Sequence, residues 1–206
     1  MKKFFTLIAT AFMAISASAQ AEAGSITLQP NVGVTYTSAT GDATADPAIA
    51  LTAGVEGMYM VNEKFGVALG LNYTGNNTST DDIVNSTYYF NLPLTANYYV
   101  TEGLALKAGV ALNIHSQTKV DGESGIGDFD FGDIYKSTYF AIPVGVSYEL
   151  SNGLVFDLRY SFGVSDVLDM KGFDNKLFGL GSILSKEFGD KNTSFNTLSF
   201  TVGYKF

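Results

Sequence analysis

The feature that most constrains this chain is an alternation of apolar and polar residues with period two, recurring in eight segments: 26–36, 51–61, 65–73, 88–100, 104–114, 140–150, 154–164 and 198–206. Successive side chains of a β-strand point to opposite faces, so each segment predicts a strand with one greasy and one polar face. Each is about ten residues long, the length a tilted strand needs to cross a bilayer. None of the 47 apolar-phase positions carries a charge, although 16% of the chain does. A charge facing lipid costs about 2–4 kcal/mol at the bilayer midplane, so this exclusion fits a lipid-facing surface. Aromatics gather at the segment ends, with Tyr36, Tyr73, Tyr88, Phe140 and Phe162 towards one side and Tyr59, Phe65, Tyr98, Tyr148, Phe156 and Tyr204 towards the other. Two such girdles with aliphatics between them are what the two membrane–water interfaces select.

The connections alternate in length. Asn62-Glu63-Lys64, Thr101-Glu102-Gly103 and Ser151-Asn152-Gly153 are short, whereas the links 39–48, 74–87, 115–137 and 165–197 are long. The expected fold is therefore all-β: an eight-stranded antiparallel up-and-down transmembrane β-barrel, with short turns and both termini in the periplasm and four loops outside. Pro93 and Pro143 donate no ladder hydrogen bond and are expected at β-bulges. A soluble barrel with the apolar phase inside is the rival fold, and the girdles and the alternating links argue against it.

The N-terminus reads as a signal peptide. Lys2 and Lys3 precede an apolar run from Phe4 to Ile15 and the small-residue site Ala17-Ser18-Ala19, which predicts residues 1–19 as a cleaved leader and residues 20–206 as one barrel domain. The chain has no cysteine and a formal net charge of −8. Disulfides and thiolate metal sites are excluded, and nucleic acid is excluded as a partner because phosphate binding needs clustered Lys and Arg.

The polar phase is small or polar, with Thr35, Gly54, Gly70, Asn91, Asn97, Asn113, Ser161 and Thr201 among its members. It also carries three acids, Glu56, Glu149 and Asp157, and three bases, Lys107, Arg159 and Lys205. Eight strands leave an interior just wide enough for side chains to fill it. An unpaired charge there is costly, so a balanced set predicts a plug of salt bridges. An ion or proton path through the same residues is the functional alternative.

The closing segment Leu198-Ser199-Phe200-Thr201-Val202-Gly203-Tyr204-Lys205-Phe206 and the Pro-centred strands around Pro93 and Pro143 resemble the outer-membrane β-barrel domain family of small porin-like proteins, of the OmpA and OmpX architecture. That resemblance implies residence in the outer membrane of a Gram-negative bacterium. It also implies an assembly signal at Phe200, Val202, Tyr204 and Phe206 that the barrel-assembly machinery reads, and contact with outer-membrane lipid and lipopolysaccharide. It implies no activity and no cofactor, and nothing in the loops specifies an extracellular partner.

Three features are weighed as sites. His115, the single histidine, is followed by Ser116 at the outer rim, but no local pattern supplies a base oriented by a third group, so it reads as a solvated rim residue rather than the centre of a membrane enzyme. Asp121, Glu123, Asp128, Asp130 and Asp133 lie among glycines at spacings that fail the EF-hand pattern, which reads as a solvated acidic loop, with cation binding as the sharper alternative. Leu177, Phe178, Leu180, Ile183 and Leu184 form an apolar cluster with lysines nearby, expected to rest on the barrel mouth or the outer leaflet, or to dock a partner. The resulting expectation is a non-enzymatic structural and cell-surface protein acting through its loops, with a narrow porin as the alternative.

Overall fold

In lipid a backbone N–H or C=O has no water to bond, so strands can stay there only if every edge is paired. The computed structural model describes residues 22–41, 46–80, 83–121, 137–165 and 193–206. It meets this condition with eight strands, β1 (Ile26–Gly41), β2 (Asp46–Asn62), β3 (Phe65–Thr80), β4 (Ile83–Tyr99), β5 (Leu104–Asp121), β6 (Thr138–Glu149), β7 (Leu154–Gly163) and β8 (Thr193–Tyr204). They form a closed barrel in sequence order, each antiparallel to its neighbours, with β8 returning to β1. The last residue takes part in the closure: Leu28 and Phe206 exchange both backbone hydrogen bonds, at 3.2 and 2.9 Å. The leader, the acidic residues from Glu123 to Asp133 and the apolar cluster around Leu177 lie outside the described residues.

The two-residue period maps onto the two faces of the wall. All 47 positions of the apolar phase are exposed or half-buried on the outside and none is buried. At the turn end, aromatics meet across strands, Phe65 opposite Tyr98 and Tyr148 opposite Phe156. At the loop end, the rings of Tyr73 and Tyr88 stack with centroids 5.5 Å apart. The β2–β3 turn is held by Asn62 Oδ1, which accepts from the Lys64 N–H at 2.9 Å. The other two turns place Gly103 and Gly153 at φ +85°, a left-handed conformation that glycine adopts without steric cost.

Two expectations are corrected. The first five strands are not about ten residues long but 16, 17, 16, 17 and 18. Lipid-facing alternation marks only the membrane-spanning part of a strand, whereas pairing continues wherever the neighbour keeps register, here out to Thr80 opposite Ile83 and Gly41 opposite Thr193. Much of the first two predicted loops is therefore tall hairpin, and the third and fourth are shorter than expected. The prolines also do not sit at bulges. Around Pro93 the ladder stops between Leu69↔Leu94 and Asn72↔Asn91, and around Pro143 between Ala108↔Val144 and Ala111↔Ala141, each time resuming in the same register. A missing N–H removes a bond without adding a residue, so the strand is interrupted and not shifted.

Register shifts occur instead between Pro47 and Thr52, between Met60 and Asn62, and at Tyr88/Tyr89. The first draws β2 out of the ladder opposite buried Gly75. Thr35 Oγ1 reaches across from β1 and donates to the Gly75 carbonyl at 2.7 Å. Thr35→Val keeps the shape and removes the donor, so equilibrium urea unfolding of the folded barrel is expected to show a loss of about 1–2 kcal/mol.

Candidate functional site: the barrel lumen

Part of the room in which the inward charges meet comes from a glycine on one neighbouring strand. Glu56 on β2 pairs with Gly70, and Gly145 on β6 stands between Lys107 on β5 and Arg159 on β7. With glycine alongside, each long side chain is free to cross the lumen. Lys107 Nζ donates to Glu56 Oε1 at 2.6 Å and to Asp157 Oδ2 at 2.7 Å. Arg159 donates through one η-nitrogen to Glu56 Oε2 at 3.0 Å and to Asp157 Oδ2 at 3.1 Å. Two acids and two bases thus form a closed, charge-neutral ring in which each base bridges both acids, drawn from strands on different sides of the barrel. Glu56, Lys107 and Asp157 are buried. Taking such charges from water costs several kcal/mol each, which a low-dielectric interior returns only when every partner is in place.

The remaining two predicted charges do not join the ring. Lys205 pairs with Glu149 nearer the turn end, with its Nζ 5.6 Å from the ring centroid of Tyr99. Below the ring, Met58, Met60 and Ala68 form a buried apolar layer packed against Tyr99. Beyond it opens a vestibule of about 250 Å³ walled by Met60, Tyr99, Glu149 and Lys205 and by the turn residues Glu63, Lys64 and Glu102.

On the loop side of the ring lies a polar cavity of about 50 Å³, room for a few water molecules. Its wall includes an asparagine row, Asn72, Asn91 and Asn113, at one level of three adjacent strands. Within it Asn91 Nδ2 donates to Asn113 Oδ1 at 2.7 Å. Above the cavity three large rings meet edge to face inside the lumen: Tyr89–Tyr139 at 5.0 Å, Tyr139–Phe195 at 6.1 Å and Tyr89–Phe195 at 6.4 Å. All three are buried.

His115 is half-buried, not a solvated rim residue, and its ring packs edge-on to Tyr89 at 5.6 Å. The bulge at Tyr88/Tyr89 sets His115 opposite Tyr89 in the ladder, on the lumen side, while Ser116 is exposed. The residues missed in the sequence are Tyr89, Tyr139 and Phe195 on one side of the ring and Met58, Met60 and Tyr99 on the other. The available signal was their size, since they interrupt an inward phase otherwise made of small and polar residues.

A family model described as the outer membrane protein beta-barrel domain matches residues 5–206. The chain belongs to that family. It is an outer-membrane β-barrel protein of the kind found in Gram-negative bacteria. Among solved structures, Neisserial surface protein A is 16% identical, with 93% of this chain and 100% of that one covered and a TM-score of 0.51, a likeness of fold. OprG from Pseudomonas aeruginosa is 16% identical over 92% of this chain and 99% of its own at a TM-score of 0.49. Ail of Yersinia pestis is 13% identical over 89% and 99% at 0.47. No curated protein matches the chain in sequence.

The ring of this outer-membrane barrel makes a testable demand. Lys107→Met leaves Glu56 and Asp157 sharing Arg159 alone, and urea unfolding is expected to show a loss of about 3–5 kcal/mol. The Glu56→Gln/Lys107→Met double variant removes one acid with one base and is expected to recover part of that loss.

Proposed function

We propose that this protein is a closed barrel, not an enzyme, that serves the envelope structurally and meets its surroundings through its hairpins and loops. The observation that carries this reading is the succession of filled layers along one narrow lumen. The aromatic layer of Tyr89, Tyr139 and Phe195, the ring of Glu56, Lys107, Asp157 and Arg159, and the Met58–Met60–Tyr99 layer leave about 50 Å³ between the first two. A passing ion would have to part Lys107 from both carboxylates and displace packed rings. His115, packed on Tyr89, has no catalytic role in this reading.

The lengths of the connections support one orientation. The links on the turn end are a few residues long, and those on the other end top strands of up to 18 residues. Short turns face the periplasm in bacterial barrels, so the termini lie inside and the tall hairpins outside, where loops carry contacts. The aromatic girdles meet lipid and lipopolysaccharide, and Phe200, Val202, Tyr204 and Phe206 on the closing strand present the assembly signal to the barrel-assembly machinery. The second reading, a narrow porin, draws support from the largely polar wall of the cavity.

Two measurements test these statements. Planar-bilayer recordings of the refolded protein are expected to show no steady conductance, with channels appearing when Tyr139→Ala is combined with Lys107→Ala; steady channels from the unaltered protein would favour the porin. An epitope inserted within residues 122–136 is expected to be detected on intact cells. One inserted at Glu102 should appear only after permeabilisation, and the reverse pattern would invert the barrel.

A further inference from the structure

Sulfur is placed with some selectivity in this cysteine-free chain. Two of its five methionines, Met58 and Met60, stand on β2 in the inward phase with 7% and 2% of their surface exposed. Their partners on β3 are small, Ala68 opposite Met58 and Gly66 opposite Met60. Both thioethers turn towards the glycine. A Cβ on Gly66 would lie 2.9 Å from Met60 Sδ and 3.1 Å from Met58 Sδ, so the two sulfurs share one small space that the missing side chain leaves. The Tyr99 hydroxyl donates to Met58 Sδ at 3.8 Å and borders the same space. The site is not sealed, because Met60 forms part of the wall of the 250 Å³ vestibule at the turn end. Three acids, Glu63, Glu102 and Glu149, face two bases, Lys64 and Lys205, in that vestibule, a balance that favours a cation over an anion.

We propose that Met58 and Met60 form a two-thioether site for a soft monovalent cation, cuprous copper or silver, reached through the turn-end vestibule. Neutral, polarizable thioethers hold soft ions and discriminate against calcium, magnesium and other hard ions, which require oxygen ligands. Among the described residues no group of three or more His, Cys, Asp or Glu stands ready to hold a metal, so hard and borderline ions have no competing cluster there. Each methionine has three rotatable side-chain bonds, which lets the two sulfurs close on an ion without backbone movement. Gly66 supplies the space and Tyr99 covers it from β4. The proposal is independent of whether the lumen conducts, since the ion enters and leaves on one side.

The test uses protein extracted from outer membranes in detergent, with its methionine methyl groups labelled with carbon-13. Silver nitrate in chloride-free buffer is the redox-inert probe. The methyl resonances of Met58 and Met60 are expected to shift together and to saturate at one equivalent, while that of Met170 stays in place. Gly66→Ala, which fills the shared space and keeps both sulfurs, is expected to abolish the shift. Met58→Leu/Met60→Leu conserves volume and is expected to abolish the one-equivalent uptake measured calorimetrically, with heat-modifiable gel mobility showing that the barrel still forms. No shift of either resonance in excess silver, or one-equivalent uptake that survives the double leucine variant, overturns the proposal.

Discussion

Closure of the backbone hydrogen-bond network is the constraint on which the rest of this molecule depends. A strand edge left open in hydrocarbon costs several kcal/mol for each unsatisfied group, so the eighth strand must return to the first. It does so along the pairs from Asn31 opposite Gly203 to Gly41 opposite Thr193, and Leu28 and Phe206 extend the seam with a further pair of bonds. Closure at eight strands then sets a lumen so narrow that inward side chains from different strands touch. The chemistry of the interior follows from that geometry, because residues far apart in the chain, such as Glu56 and Asp157, are forced into one cross-section.

Within that cross-section the energetics favour complete sets. A lone carboxylate among the strands would be costly, and a neutral ring of two acids and two bases removes the penalty only while all four members are present. On the turn side the ring is backed by the apolar Met58–Met60 layer, and on the loop side it borders the small polar cavity that Glu56, Asp157 and Arg159 help to line. Along the lumen the kinds of packing alternate: aromatic rings, neutral amides and hydroxyls, charges, and thioethers. The wall outside the lumen is uniform in comparison, because lipid asks only that it be apolar and that its ends be aromatic.

The alternation of 47 uncharged positions was sufficient to read strand number, the lipid face, the girdles and the closed all-β architecture, because each is a local or periodic property of the chain. The six charges of the lumen were legible as a balanced inward set for the same reason. Their division into a ring of four and a separate Lys205–Glu149 pair was not, since it depends on which residues share a level of the barrel. The height of the hairpins was also hidden, because pairing above the membrane leaves no apolar trace. The prolines were misread because a lost donor was equated with a shifted register.

The sequence by itself pointed to a membrane barrel over a soluble one, because its charge-free period-two faces end in two aromatic girdles and are joined by links that alternate in length. Family membership agrees with that reading across residues 5–206. Only the tertiary structure decided what occupies the interior. Tyr89, Tyr139 and Phe195 meet from three strands, and Met58 and Met60 converge because β3 opposes them with Ala68 and Gly66. Such contacts arise from register and curvature around a closed wall, and these relate residues through space at distances along the chain that no local pattern encodes.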